Sequence, residues 1–346
     1  MSRANESAAE TVLAPWITRQ LHRLLGQRGH ARLLQGPSGL GQYPLGLALA
    51  SAWLCDTPAA DGRACGHCAS CHAIEVRTHA DLRVLMPEVQ MMALGWPLPE
   101  KAQAELDDKK RKPSREIRVE AMRDAVEFAQ RTDARGRGKV VLVYPAEQMN
   151  AVTANALLKT LEEPVGDVRF VLASEASHQL LPTIRSRCQA HAMAWPELGE
   201  AEAWLAAQGV PTTDAPGLLR AAGGRPQDAL DAGPAGLDPA RWALLPKAVL
   251  RGDVSALSDR SPAEVIEALQ KLCHDLFAQR AGAAPRYFTA ADLPPAPSWM
   301  ALTRWSKALA AEARTADHPF NPGLMLESLV SAAQNTLNSA GSKRPT

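Results

Sequence analysis

Gly36-Pro-Ser-Gly-Leu-Gly-Gln42-Tyr43 has the frame of a phosphate-binding loop without its working residues. The pattern Gly-x4-Gly-Lys-Ser/Thr cradles phosphates in backbone N–H groups, reaches them with the lysine and holds Mg2+ on the small hydroxyl. Gly36 and Gly41 keep the spacing, but Gln42 stands where the lysine should be and Tyr43 where the hydroxyl should be. A glycine-rich loop entering a helix can still offer N–H groups to an anion. Without the ammonium and the magnesium ligand, ATP is expected not to bind, or to bind only weakly, and hydrolysis is not expected.

Working outward, Ala31–Gln35 reads as a short strand feeding the loop, and Pro44 sits near the start of a helix, where a missing N–H costs little. That helix runs through Leu45, Leu49 and Trp53 to Cys55. Asp81–Met86, Lys139–Val143 and Arg169–Ser174 are apolar runs of the type found in buried parallel strands. Helical periodicity fills Val119–Arg131 and Ala151–Glu163, the second closed by Pro164. Strands alternating with helices over residues 30–190 predict a parallel α/β sheet. After Trp195-Pro196 the strand signal fades and the chain reads as helices broken by Gly/Pro clusters. Residues 88–116, with several prolines and the run Asp107-Asp-Lys-Lys-Arg-Lys112, are expected to form an exposed, mobile loop.

The length of 346 residues suggests two or three domains, and 46% hydrophobic with 22% charged residues is ordinary for a globular protein. A net charge of +1 argues against a strong long-range field for nucleic acid, so any DNA contact should be local or shared with partners. No apolar run is long enough for a membrane span, and Met1–Ser7 lacks the apolar core of a signal peptide, so no membrane association and a cytoplasmic location are expected.

Four of six cysteines cluster as C-x9-C-x2-C-x2-C: Cys55, Cys65, Cys68 and Cys71. Four thiolates on a short loop suit tetrahedral Zn2+ with no open position, a structural rather than catalytic site. An iron–sulfur cluster shares the x2 spacings but usually adds a downstream C-x3-C-Pro, which is absent. His67 or His72 could replace one thiolate, although solvent-facing histidines are the simpler reading. Cys188 and Cys273 stand alone and are expected to be buried apolar residues.

Set beside these features, Asn155-Ala-Leu-Leu-Lys-Thr-Leu-Glu-Glu-Pro164 and Thr183-Ile-Arg-Ser-Arg-Cys188 closely resemble the bacterial clamp-loader subunits of the AAA+ class. The resemblance starts near residue 14, fades over 88–116 and beyond 240, and returns in Asn321–Leu329. It implies an AAA+ core over 1–195 with a zinc knuckle at 55–71, a small helical lid over 196–237, and an all-α collar domain for oligomerisation over 238–346.

Within the family both the ATPase motor and a non-hydrolysing subunit carry the knuckle. In the motor the strand before the second acidic motif ends in Asp-Glu, which serves Mg2+ and the attacking water. Here Val143 is followed by Tyr144-Pro145, and a sensor arginine would fall near Gln227, with Arg225 close by. The resemblance therefore implies the non-hydrolysing subunit: a stator that assembles with the gamma/tau and delta subunits and helps load the sliding clamp onto primer-template DNA. The polymerase activity would belong to the holoenzyme. An active ATPase with an atypical loop and a stand-alone zinc-dependent DNA-binding protein are the alternatives.

Ser186-Arg187-Cys188 is intact, and by resemblance Arg187 is an arginine finger completing the ATP site of a neighbouring subunit. The plainer reading is one surface arginine beside Arg185. Lys159 either solubilises its helix with Glu162 and Glu163 or contacts DNA phosphate. Arg131, Arg135, Arg137 and Lys139 surround a glycine-rich turn and form a weaker DNA candidate. Trp299 and Trp305 are expected in a bundle core or a subunit interface.

Overall fold

Five short strands, all parallel, pair in the order β2-β3-β4-β1-β5: β1 Ala31–Gln35, β2 Leu82–Leu85, β3 Lys139–Val143, β4 Val168–Ser174 and β5 Gln189–Ala192. The computed structural model describes residues 13–315 and 321–339, so the Met1–Ser7 stretch lies outside the described residues. The chain divides into two compact units at Pro196.

In the first unit, α1 (Pro15–Leu25) precedes β1, and α2 (Gln42–Leu54) follows the glycine-rich loop. The short α3 (Ala69–Glu75) leads to β2, then α4 (Glu88–Ala93), α5 (Glu100–Asp107) and α6 (Val119–Gln130) precede β3. Helix α7 (Ala151–Glu162) joins β3 to β4, and one turn, α8 (Pro182–Arg185), leads into β5. Strand β3 is buried along its whole length and β4 nearly so, as the apolar runs predicted. Leu33 pairs with Leu172 and Val141 with Phe170 in register, so the apolar side chains of three neighbouring strands form continuous layers. Gly46 of α2 faces Leu142 and Val171, where a Cβ would crowd the sheet.

Helix α1 and strand β5 are among the elements not expected. Helix α1 buries Trp16, Ile17, Leu21 and Leu24, with Pro15 at its first turn. Strand β5 is mostly exposed, so no apolar alternation marks it; it pairs with β1, and His191 and Ala194 N meet the Gln20 side chain of α1 at 2.9 and 2.8 Å.

Residues 88–116 are not the mobile loop that their composition suggested. They hold α4 and α5, tied together by charge. The carboxylate of Glu88, almost completely buried, accepts from Arg111 Nη2 at 2.9 Å and Ser114 N at 2.8 Å, and pairs with Arg118 Nε at 3.1 Å. Arg111 Nε also donates to Glu105 at 2.7 Å. Arg111 belongs to the basic run read as solvated; tertiary pairing of one of its residues is invisible to composition.

The second unit is helical: α9 (Leu198–Ala207), α10 (Ala215–Ala221), α11 (Pro226–Ala232), α12 (Pro239–Arg251), α13 (Pro262–Arg280), α14 (Trp299–Glu312) and α15 (Pro322–Asn338). One apolar cluster joins α9, α10 and α11; a larger one spans α12 to α15. The fully buried Asp275 accepts from the backbone N–H groups of Arg286, Tyr287 and Phe288 at 2.7–2.8 Å, pinning the loop after α13. Phe288 then stacks on Trp242 at 4.9 Å. Cys273 is buried in this core, its thiol pushed up to about 12 by burial, as its isolation suggested. Trp305 is buried as well, whereas Trp299 is half exposed and leans on Phe277. Among the described residues no helix is long and apolar enough to cross a membrane.

Burial pushes the Glu88 carboxyl up, but Arg111, the Ser114 N–H and Arg118 outweigh it and hold it below the ordinary carboxylate range. Its contribution is therefore present above that range and lost as pH falls through the lowered value. Glu88→Ala removes the acceptor shared by Arg111, Arg118 and the Ser114 N–H and should cost about 1–3 kcal/mol. Hydrogen exchange should rise across residues 88–116 while β3 and β4 stay protected, and acidification of the parent chain should reproduce the effect.

Candidate functional site

The glycine-rich loop runs from the carboxyl end of β1 into α2. Gly36 N donates to Ser174 O at 3.3 Å, and Trp16 Nε1 donates to Leu40 O at 3.1 Å, so β4 and α1 grip the loop from two sides. Gly41 has φ 95° and stands against Ile17, where a Cβ would collide; only glycine suits both demands.

Gln42 is 2% exposed and turns back into the loop. Its amide nitrogen lies 2.8 Å from Gly36 O, 2.7 Å from Pro37 O and 3.4 Å from Ser174 O. The side chain at the lysine position thus satisfies the loop's own carbonyls instead of reaching outward. Tyr43 stacks on Tyr144 with ring centroids 5.3 Å apart, and its hydroxyl accepts from Trp96 Nε1 at 2.7 Å. Burial pushes that hydroxyl above its usual pKa. Tyr144 in turn donates to Glu175 at 2.7 Å, while Glu147 accepts from Ser174 Oγ at 2.8 Å and from Glu175 N at 3.1 Å. Two aromatic rings therefore stand where the loop pattern and the acidic motif call for a magnesium ligand and a carboxylate. The contributions of Trp96, Glu147 and Glu175 had no sequence signal, because these partners lie dozens of positions from the loop.

Ser186-Arg187-Cys188 follows the single turn of α8. Ser186 Oγ donates to Thr183 O at 3.1 Å, and the Cys188 thiol is raised to about 11 by burial against the α/β core. Arg187 Nη1 donates to Thr183 O at 2.8 Å, and Nη2 pairs with Glu162 at the end of α7. Its Nε is buried without an acceptor. Lys159 on the same helix is exposed. In the second unit Arg225 is drawn to Ala222 O at 2.7 Å and to Asp228 at 3.1 Å, and Gln227 donates to Asp231.

The four clustered cysteines converge. Their sulfurs all lie within 4.8 Å of one another, with Cys55–Cys68, Cys65–Cys71 and Cys55–Cys71 at 3.8, 3.9 and 3.7 Å. Metal–sulfur bonds of about 2.3 Å in a tetrahedron give edges of about 3.8 Å, so the set could hold a metal ion. Backbone N–H groups of Cys65, Cys68 and Cys71 point at the sulfurs of Cys55, Cys65 and Cys68. The Thr57 hydroxyl and backbone donors pull Cys65 down to about 5, whereas burial pushes Cys55 and Cys71 up. His67 and His72 are exposed and outside the set. Asp56 braces the loop, accepting from Ser70 N at 3.1 Å and Ser70 Oγ at 2.7 Å.

The glycine-rich turn of basic residues does not present four free cations. Lys139 is buried against Asp81 at 3.4 Å and over the Phe128 ring at 4.2 Å. Arg131 pairs with Glu127, and Arg135 with Asp56 and Ser70.

Comparison with known proteins fits this architecture. The family described as "DNA polymerase III, delta subunit" matches residues 16–196. Over 194 residues the chain is 42% identical to DNA polymerase III subunit delta' of Pseudomonas aeruginosa, covering 56% of this chain and 52% of that protein. The chain belongs to the DNA polymerase III delta-prime family. The delta' subunit of Escherichia coli is 33% identical over 222 residues, covering 62% of this chain and 59% of its own length. The tau subunit of Escherichia coli is 34% identical over 164 residues, covering 47% and 21%. The chain thus spans little more than half the length of the delta' relatives it matches, and the family match covers the α/β unit.

Two outcomes follow from the delta-prime loop and cysteines. Gln42→Ala removes the donor that serves buried loop carbonyls and should cost about 1–3 kcal/mol in chemical denaturation. The purified chain should carry one metal equivalent by elemental analysis. Chelation or Cys65→Ser should release it, and acidification should weaken binding because protons compete for the thiolates.

Proposed function

We propose that this chain is a non-hydrolysing stator subunit of the DNA polymerase III clamp loader, built as a degenerate AAA+ core, a helical lid over 196–237 and a collar over 238–346. In that role it assembles with gamma/tau and delta subunits in the cytoplasm and helps place the sliding clamp on primer-template DNA. The observation that carries the reading is the loop itself. Gln42 is spent on the loop's carbonyls, and Tyr43 and Tyr144 stack where Mg2+ would need oxygen ligands, which argues against phosphoryl transfer at this loop.

Arg187 is then the part kept for another subunit. Its guanidinium sits at the end of a one-turn helix, partly exposed, with one donor short of an acceptor. An exposed pair such as Arg187–Glu162 is worth about 0–1 kcal/mol, so exchanging Glu162 for a phosphate oxygen costs little. A phosphate supplied by a neighbour's ATP would accept from the planar guanidinium fork. In the four-cysteine site we assign zinc, which has no geometric preference beyond the tetrahedron these thiolates form and would act structurally.

Reconstitution tests the assignment. The chain should co-elute with gamma/tau and delta subunits in gel filtration, and alone it should not hydrolyse ATP. Arg187→Ala should leave assembly intact and lower the ATPase of the complex by about 10-fold or more. Unchanged ATPase would remove the finger. Mg2+-dependent hydrolysis by the isolated chain, abolished by changing Gln42, would overturn the stator reading.

A further inference from the structure

At the amino-terminal ends of the strands, opposite the end that carries the glycine-rich loop, the segments entering β1, β3 and β4 meet the loop between Cys55 and Cys65. Two adjoining hollows of about 370 and 480 Å³ lie there and share Leu25, Trp53, Asp167 and Arg169. Pro58 and Arg137 line one, Arg28 the other. Three arginines thus face one acid, and that acid, Asp167, is already paired with Arg169 at 3.1 Å. Neither Arg28 nor Arg137 meets a carboxylate among the described residues, and Arg137 Nε is buried with no acceptor. Of the four basic residues around the turn at 131–139, Arg137 is the one left unengaged.

We propose that this groove binds an acidic, partly apolar peptide segment of a protein partner. Charge complementarity selects the carboxylates: the Arg28 and Arg137 forks suit them, and neither guanidinium is taken by a carboxylate of the chain among the described residues. Leu25, Pro58 and the edge of Trp53 form the apolar wall for a large side chain, the Trp-and-Arg composition common at protein interfaces. A nucleic-acid strand fits less well. The Trp53 ring is capped by the Arg169 guanidinium, 5.3 Å from the ring centroid, which takes the stacking face a base would use. The net charge of +1 also supplies no far field for a polyanion. The groove gives the nine-residue spacing between Cys55 and Cys65 a purpose, since Pro58 and Gly62, which line one hollow, stand in the excursion that the cysteines pin.

Fluorescence anisotropy of the full chain with a short fluorescein-labelled peptide of aspartates interrupted by phenylalanine tests this. Saturable binding is expected, with an asparagine version of the peptide failing to bind. Arg28→Ala combined with Arg137→Ala should weaken it about tenfold, equivalent to about 1.4 kcal/mol, with unchanged circular dichroism. Trp53→Leu should weaken binding through the apolar wall as a second, charge-neutral variant. The proposal fails if the aspartate peptide does not saturate, if the double variant binds it equally well, or if an oligothymidylate binds with the same arginine dependence and displaces it. Loss of peptide binding leaves assembly with gamma/tau and delta untouched, so this result is separable from the stator reading.

Discussion

Parallel pairing of β1 with β4, with Leu33, Leu34, Leu172 and Ala173 buried, is the constraint from which the rest of the α/β unit follows. A parallel sheet cannot leave a face in water, so α1 and α2 must close over one side and α6 and α7 over the other. The same pairing sets Gln35 beside Ser174, which brings the loop after β1 within reach of the end of β4. Gly36 N and the Gln42 amide both use the Ser174 carbonyl as an anchor. The loop's closed state is thus a product of sheet register as much as of the residue at position 42.

The glycine-rich loop is a filled site, its lysine position taken up by internal hydrogen bonds. A lysine side chain unpaired in that loop would be a costly buried charge without phosphate, whereas a glutamine amide is satisfied by carbonyls already present. The tyrosine at position 43 extends the same logic outward, through Tyr144 to Glu175 and through Trp96 to the 88–116 segment. What was read as an insertion of no definite structure supplies Trp96, which donates to the very residue that displaces the magnesium ligand. The Glu88–Arg111 pair holds that segment together.

Much of the first unit was legible in the chain. The runs at 139–143 and 168–174 are predominantly apolar and read as buried strands, and the helix at 151–162 declares its end with Pro164; the structure adds Asn150 at its start, whose side chain accepts from Thr153 N. The four cysteines were legible for another reason: their short spacings confine the sulfurs whatever the rest does. Strand β5 was not, because an edge strand held by hydrogen bonds to β1 and to Gln20 has no need of apolar alternation. Nor were α4 and α5, where a polar, proline-containing composition conceals a buried carboxylate.

Sequence by itself determined the parallel α/β class, the helical second half, the cysteine set and the absence of lysine and hydroxyl from the loop, because each depends on residue type and local spacing. Tertiary structure decided what the replacements do. Gln42 could have faced solvent and Tyr43 could have been a bare surface ring; the register of β1 on β4 turned one into a tie between carbonyls, and Tyr144 and Trp96 made the other a half-buried stack. It also decided that of four neighbouring cations three are engaged and Arg137 is not. The partners that settle these outcomes come from distant parts of the chain, and only folding brings them within hydrogen-bond distance.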